Sequence, residues 1–135
     1  MPTLLLPGIT AEKTKEDIEA KIRIASGIAV EATITGTRHV ENIDLKPLSE
    51  LPELRILHIS DTYLLGSLDL SPLSSLTELR EVHITANSSL TTLDLKPLSI
   101  LFKLEEIHLN RNVSLIDLDL TPLSAMMHFR KLTID

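Results

Sequence analysis

Three histidines, His58, His83 and His108, recur every 25 residues, and Glu81 and Glu106 stand two residues before the second and third. Imidazoles ligate metals and exchange protons near neutral pH, and carboxylates complete or orient such sets. Set side by side on neighbouring strands about 4.8 Å apart, the three rings form a column that could share a Zn²⁺, Ni²⁺ or Cu²⁺ ion. A row of three on a flat sheet, however, makes a poor tetrahedron, and repeat duplication alone copies a histidine from unit to unit. The column therefore reads first as part of a contact surface; a metal site on His58, His83 and His108 is the alternative. A pH-sensitive surface is a softer version. Flanking glutamates favour the protonated ring and neighbouring imidazolium ions oppose it, so spacing does not set the sign.

A second column of potential ligands is Asp44, Asp69, Asp94 and Asp119. Stacked carboxylates suggest calcium, a hard cation that takes oxygen ligands. No glycine-rich calcium loop accompanies them, and each lies between two apolar residues. Their expected role is to accept hydrogen bonds from backbone N–H groups at the following turn, a role shared by Ser49, Ser74, Ser99 and Ser124. Nucleophilic catalysis finds no support: no serine sits in a Gly-x-Ser-x-Gly elbow, and no motif surrounds His39 or His128. Four glycines in the whole chain leave no phosphate-cradling loop. The chain reads as a non-enzyme with no catalytic residues and no cofactor.

The elements that must position these columns follow from an internal repeat. Ile43-Asp-Leu-Lys-Pro-Leu-Ser recurs as Leu68-Asp-Leu-Ser-Pro-Leu-Ser, Leu93-Asp-Leu-Lys-Pro-Leu-Ser and Leu118-Asp-Leu-Thr-Pro-Leu-Ser. A fixed period in the range of roughly 20–50 residues marks a stacked-repeat architecture. Within each unit, Leu57 and Ile59, Val82 and Ile84, and Ile107 and Leu109 alternate with polar residues, the period-two pattern of a half-buried strand. Leu90, Leu93 and Leu95 point inward along an extended return. Pro47, Pro72, Pro97 and Pro122 suit the first position of a short helix or 3₁₀ segment, where a missing N–H costs nothing. Asn87 and Asn112, with Thr62 in the equivalent place, sit where the chain leaves the strand; stacked there, they form a ladder that bonds backbone groups of the turn.

The units starting at Leu54, Leu79 and Leu104 fit L-x-x-L-x-L-x-x-N, with Thr62 replacing the asparagine once. The chain thus resembles the leucine-rich repeat proteins over roughly residues 28–135, and the second half of each unit is similar to the internalin-type and other bacterial or archaeal variants. The resemblance implies an α/β leucine-rich repeat solenoid, a short right-handed horseshoe arc of about four repeats with a parallel concave sheet and short convex helices or 3₁₀ turns. It also implies a non-catalytic protein–protein interaction scaffold that holds its partner on the concave face. The residues of that face are Ile56, His58 and Ser60; Glu81, His83 and Thr85; Glu106, His108, Asn110 and Arg111.

Residues 1–27 read as an N-terminal cap. Thr10 to Ala25 suits an amphipathic helix with Thr10 as its cap and Ile18, Ile22 and Ala25 on one apolar face, ended by Ser26 and Gly27; Leu4 to Leu6 suits a strand. Residues 28–135 are the repeats. Lys131 to Asp135 forms a fifth repeat strand with no cap behind it, an open edge suited to a homodimer.

At 135 residues the chain makes about one domain. Leucine dominates an apolar fraction of 43%, with two Phe, one Tyr and no Trp, which suits aliphatic layers better than one irregular centre. A net charge of −6 argues against a nucleic-acid partner, which needs clustered Lys and Arg. No apolar run approaches the roughly 20 residues of a membrane span. Without a cysteine or a basic, secretory-type start, the expected setting is cytoplasmic.

Overall fold

Each unit forms one coil because its leucines can be covered only by the coils on either side. The computed structural model describes residues 18–25, 28–36, 43 and 45–135. A six-stranded sheet is built from Ile18–Ala25 (β1), Ile28–Gly36 (β2), Ile56–Ser60 (β3), Glu81–Thr85 (β4), Glu106–His108 (β6) and Lys131–Thr133 (β8). Their order is β1-β2-β3-β4-β6-β8. From β2 onward every neighbour is parallel, giving the five parallel strands of a solenoid face. A second, two-stranded parallel sheet pairs Thr92–Leu93 (β5) with Asp117–Leu118 (β7).

Register follows the repeat: Ile56 pairs with Glu81, His58 with His83, and His83 with His108, each 25 residues on. A one-residue slip would turn the buried leucines of a whole strand outward, so the burial pattern locks the alignment. In β3 and β4 alternate residues are fully covered, Leu57 and Ile59 in one and Val82 and Ile84 in the other. Each such side chain contributes roughly 1.5–3 kcal/mol on burial.

The return side of each coil carries a 3₁₀ segment: Lys46–Glu50, Ser71–Ser75, Lys96–Leu98 and Thr121–Ala125, each with proline in its first turn. Proline is favourable at that place because its fixed φ suits the turn and no N–H is lost from the ladder. The following leucine N–H bonds back to the leucine before the segment, as in Leu73 to Leu70 at 2.9 Å and Leu98 to Leu95 at 3.0 Å. Asp69, Asp94 and Asp119 each accept the N–H two residues on through Oδ1 at 2.9 Å. Asp44 lies outside the described residues. The serines two after each proline donate to the carbonyl three residues back, Ser99 to Lys96 at 2.7 Å for example.

The turn after each strand is held by the buried ladder Thr62, Asn87 and Asn112. Asn87 Oδ1 accepts the Thr62 N–H at 3.2 Å and its hydroxyl at 2.6 Å, and Asn87 Nδ2 donates to the Ile59 carbonyl. Asn112 repeats this one coil on, accepting the Asn87 N–H at 3.0 Å and donating to the Ile84 and Leu109 carbonyls. Just before each ladder residue, Asp61, Ala86 and Arg111 take left-handed φ values of 58°, 56° and 63°.

The N-terminal helix is corrected over its second half. Ile18 to Ala25 is a strand, antiparallel to β2, with Ala25 opposite Ile28. The reason is visible in the period: Ile18, Ala20, Ile22 and Ile24 alternate with Glu19, Lys21 and Arg23, a period-two pattern that suits a strand better than the helical one. Leu4 to Leu6, Thr10 and the rest of the expected helix lie outside the described residues.

The last coil differs from those before it. Leu95 and Leu109 keep 1% of their surface, whereas their counterparts Leu120 and Ile134 keep 42% and 46%. Leu115, Leu118, Leu123, Met126, Phe129 and Leu132 pack on the core but are only partly covered.

Candidate functional site: the concave face

Parallel pairing puts three columns on the solvent side of the sheet. The first runs Glu31, Ile56, Glu81, Glu106, Lys131; the second Thr33, His58, His83, His108, Thr133. The third holds Ser60 and Thr85 in β3 and β4. Asn110 and Arg111 fall beyond the end of β6. Asn110 accepts the Thr133 hydroxyl at 2.7 Å, and Arg111 occupies the left-handed turn, its N–H donating to Asp135 Oδ1 at 2.7 Å.

The histidines are closer than strand spacing requires. Ring centroids are 4.4 Å apart between His58 and His83, with planes at 24°, and 4.3 Å apart between His83 and His108, with planes at 6°. They form a continuous face-to-face stack along the sheet. Side-chain exposure falls along it, from 33% at His58 through 22% at His83 to 14% at His108.

Each ring is tied to a carboxylate through Nε2. His83 meets Glu81 at 3.0 Å and His108 meets Glu106 at 2.8 Å, both within one strand. Ile56 occupies the corresponding place in β3, so His58 reaches across to Glu31 on β2 at 3.2 Å. A carboxylate can only accept, so the shared proton sits on Nε2. His108 Nδ1 lies 2.8 Å from the Thr133 hydroxyl oxygen, whose one hydrogen goes to Asn110. Among the described residues no hydrogen bond reaches Nδ1 of His58 or His83.

Burial holds His83 below the ordinary histidine range; the Glu81 hydrogen bond opposes this, and the flanking His58 and His108 rings add to it. Glu106 is held below the usual carboxylate range by its bond to His108, reinforced by Arg130 and Lys131 against the cost of burial. Arg130 Nη2 donates to Glu106 at 2.8 Å and its Nε to Glu105 at 3.0 Å. In the first column carboxylates thus stand on β2, β4 and β6, and Lys131 stands on β8.

Stacked rings whose nitrogens turn sideways to separate carboxylates do not converge on one point. Among the described residues no group of three or more His, Asp or Glu side chains is placed to hold a metal ion. Tautomer and stacking, the two features that define the face chemically, carry no sequence signal beyond the 25-residue spacing. On the return side an open depression of about 290 Å³ is lined by Thr92, Leu93, Asp94, Lys96, Asp117 and Asp119. Asp94 and Asp119 there already serve backbone N–H groups.

No family model matches the chain, and no curated protein matches it. Among solved structures it is similar to an internalin (inlF) from Listeria monocytogenes str. 4b F2365, with 21% identity and a TM-score of 0.43. The similarity covers 74% of this chain and 34% of that one, so the chain spans about a third of the length of that structure. Among the described residues no helix is long and apolar enough to cross a membrane. The architecture rests on this molecule's own geometry. Parallel strands in 25-residue register, a buried asparagine ladder at the strand exits and layered leucines on a 3₁₀ return make the fold a leucine-rich repeat solenoid.

Proposed function

We propose that the protein is a non-catalytic interaction module whose partner is another protein, held on the concave face. The observation that carries this reading is the ordered strip of His58, His83 and His108 with Glu31, Glu81 and Glu106. Its side chains are fixed before any partner arrives, by stacking and by Nε2–carboxylate bonds. Side chains already ordered lose less freedom on association, which raises affinity for a given contact area. The strip is a continuous surface rather than a pocket with converging groups, and so suits a macromolecular ligand better than a small substrate.

The test is affinity capture from the source organism's lysate with two baits, read by mass spectrometry. One bait is the protein itself; the other carries Glu81→Ser, His83→Ser, Glu106→Ser and His108→Ser. A protein retained by the first and lost by the second supports the concave face. Equal capture by both, with both baits shown to be folded by circular dichroism, overturns it.

A further inference from the structure

Two copies of the pattern Asn-x-Ser stand 25 residues apart, Asn87-Ser88-Ser89 and Asn112-Val113-Ser114. In that pattern the asparagine amide is the acceptor of an N-linked glycan, and the transferring enzyme reads the hydroxyl two residues on; occupied acceptors lie on surface loops. Here both copies belong to the buried ladder. Asn87 keeps none of its surface and Asn112 keeps 5%.

The fold already uses every group that glycan transfer needs. A side-chain amide nitrogen carries two hydrogens. Asn87 Nδ2 donates one to the Ile59 carbonyl at 3.3 Å and the other to Asn112 Oδ1 at 3.2 Å. Asn112 Nδ2 donates to the Ile84 and Leu109 carbonyls at 2.6 Å and 2.9 Å. The serine hydroxyls are bound as well. Ser89 donates to the Tyr63 carbonyl and Ser114 to the Ser88 carbonyl, each in the preceding coil.

Glycan transfer joins Nδ2 to the anomeric carbon of a lipid-pyrophosphate-linked oligosaccharide. One N–H proton leaves, and the lipid pyrophosphate departs with the electron pair of the broken C–O bond. The product amide has one hydrogen, so one ladder oxygen loses a donor for each glycan added. A sugar ring also needs room that a close-packed interior lacks. Of the two effects the steric one is the larger.

We propose that Asn87 and Asn112 are N-glycan acceptors only in the unfolded chain, and that a glycan on either one prevents its coil from closing. Folding and glycan transfer thus compete for the same two nitrogens. A chain that folds first is closed to the enzyme, and a chain modified first cannot build its ladder.

The experiment supplies purified oligosaccharyltransferase and its lipid-linked donor to the full chain in two ways. In one the protein is folded before the enzyme is added; in the other it is diluted from urea into enzyme and donor already mixed. Mass spectrometry reads occupancy at each asparagine. Hydrogen exchange reads the Thr62 and Asn87 amides, which the ladder holds. The folded chain is expected to be modified about a hundredfold more slowly or less, because transfer must wait for the coil to open. A glycan on Asn87 should leave the Thr62 amide unprotected, and one on Asn112 the Asn87 amide, while unmodified chain from the same mixture protects both. Ser89→Ala with Ser114→Ala removes both patterns, keeps both asparagines, and should protect those amides in either order of mixing. Equal rates on folded and diluted chain, a glycosylated chain with protected amides, or no transfer to the diluted chain overturns the inference. So does an alanine variant that loses protection when diluted into the enzyme, since the glycan is then not the cause.

Discussion

The two flanks of the described sheet differ. On the N-terminal side the neighbouring strands run antiparallel: β1 pairs with β2 along eight residues, and β2 pairs in parallel with β3. Toward the C-terminus the last described strand, β8, is three residues long and has one neighbour. Beneath it Leu120 and Ile134 keep over forty per cent of their surface, although their sequence places match those of fully covered leucines. Similar side chains at equivalent repeat positions therefore have different energies. In a stack where each coil touches only its neighbours, the contribution of a leucine depends on how many of its two faces are covered.

The largest test of that contrast is a matched pair of truncations. Leu98→Ala removes a side chain with no exposed surface from the third coil and should cost about 3 kcal/mol, within the roughly 2–5 kcal/mol seen for cavity-forming changes. Leu123→Ala removes its partly covered counterpart and should cost about 1 kcal/mol, because water fills the gap. Urea unfolding of the two variants checks this; equal losses would mean that the last coil is as well covered as the interior ones.

The asparagine ladder gives a second, smaller contrast. Asn87→Ala strands the buried Thr62 N–H and the Ile59 carbonyl, at about 1–3 kcal/mol for each group left without a partner. Asn112→Ala strands the Asn87 N–H and two carbonyls, one coil further along the chain. Hydrogen exchange at the Thr62 and Asn87 amides separates the two. Exchange should speed up at Thr62 in the first variant and at Asn87 in the second, with the smaller stability loss in the second because water reaches that coil more easily. The reverse order would sink the idea that the covering of each coil sets the cost.

A pH titration compares the middle of the concave face with its flanks. The His83 ring is held below its ordinary value of 6.5 in the folded chain. The unfolded state therefore takes up the proton first as pH falls, so the stability this ring contributes is present above about pH 6.5 and declines below it. Glu106, Asp69 and Asp119 are held below their ordinary values of 4.5, 3.8 and 3.8. Their contributions persist above those values and are lost only as pH falls further. Denaturant midpoints should thus begin to fall as the pH drops below about 6.5, and His83→Gln should remove that first decline while leaving the acid one. A first decline unchanged in His83→Gln would assign it elsewhere.

The smallest effect concerns the strand exits. Ala86 holds a φ of 56°, a region where a β-carbon costs roughly 1–2 kcal/mol and where glycine is at ease. Ala86→Gly should stabilise the protein by less than about 1 kcal/mol, since glycine's freedom in the unfolded chain offsets part of the relief. A loss of stability would show that the β-carbon of Ala86 makes a contact worth more than the strain.

Most of the solenoid was legible in the sequence because repetition multiplies weak local signals. One copy of Leu57-His-Ile59 is an ordinary strand fragment; three copies in register with Asn87 and Asn112 admit few other arrangements. The hairpin at the N-terminus was not legible in the same way. Its first strand has no second copy, and Ile18, Ile22 and Ala25 satisfy a helical stripe while Ile18, Ala20, Ile22 and Ile24 satisfy a strand. Pairing with β2 over eight residues decided between them. The concave face was legible as a set of positions and not as chemistry, because whether His58 bonds Glu31 or a residue of its own strand depends on the distance across the sheet.

The sequence by itself determined the coil: its period, its buried leucines, its proline-led return and its polar ladder, all set by patterns within 25 residues. The tertiary structure decided what lies between coils. It stacked the three imidazoles at 4.3–4.4 Å and turned each toward a carboxylate. It also left the final layer of leucines half covered. Those outcomes depend on contacts between residues 25 or more apart, whose geometry exists only once the sheet has formed.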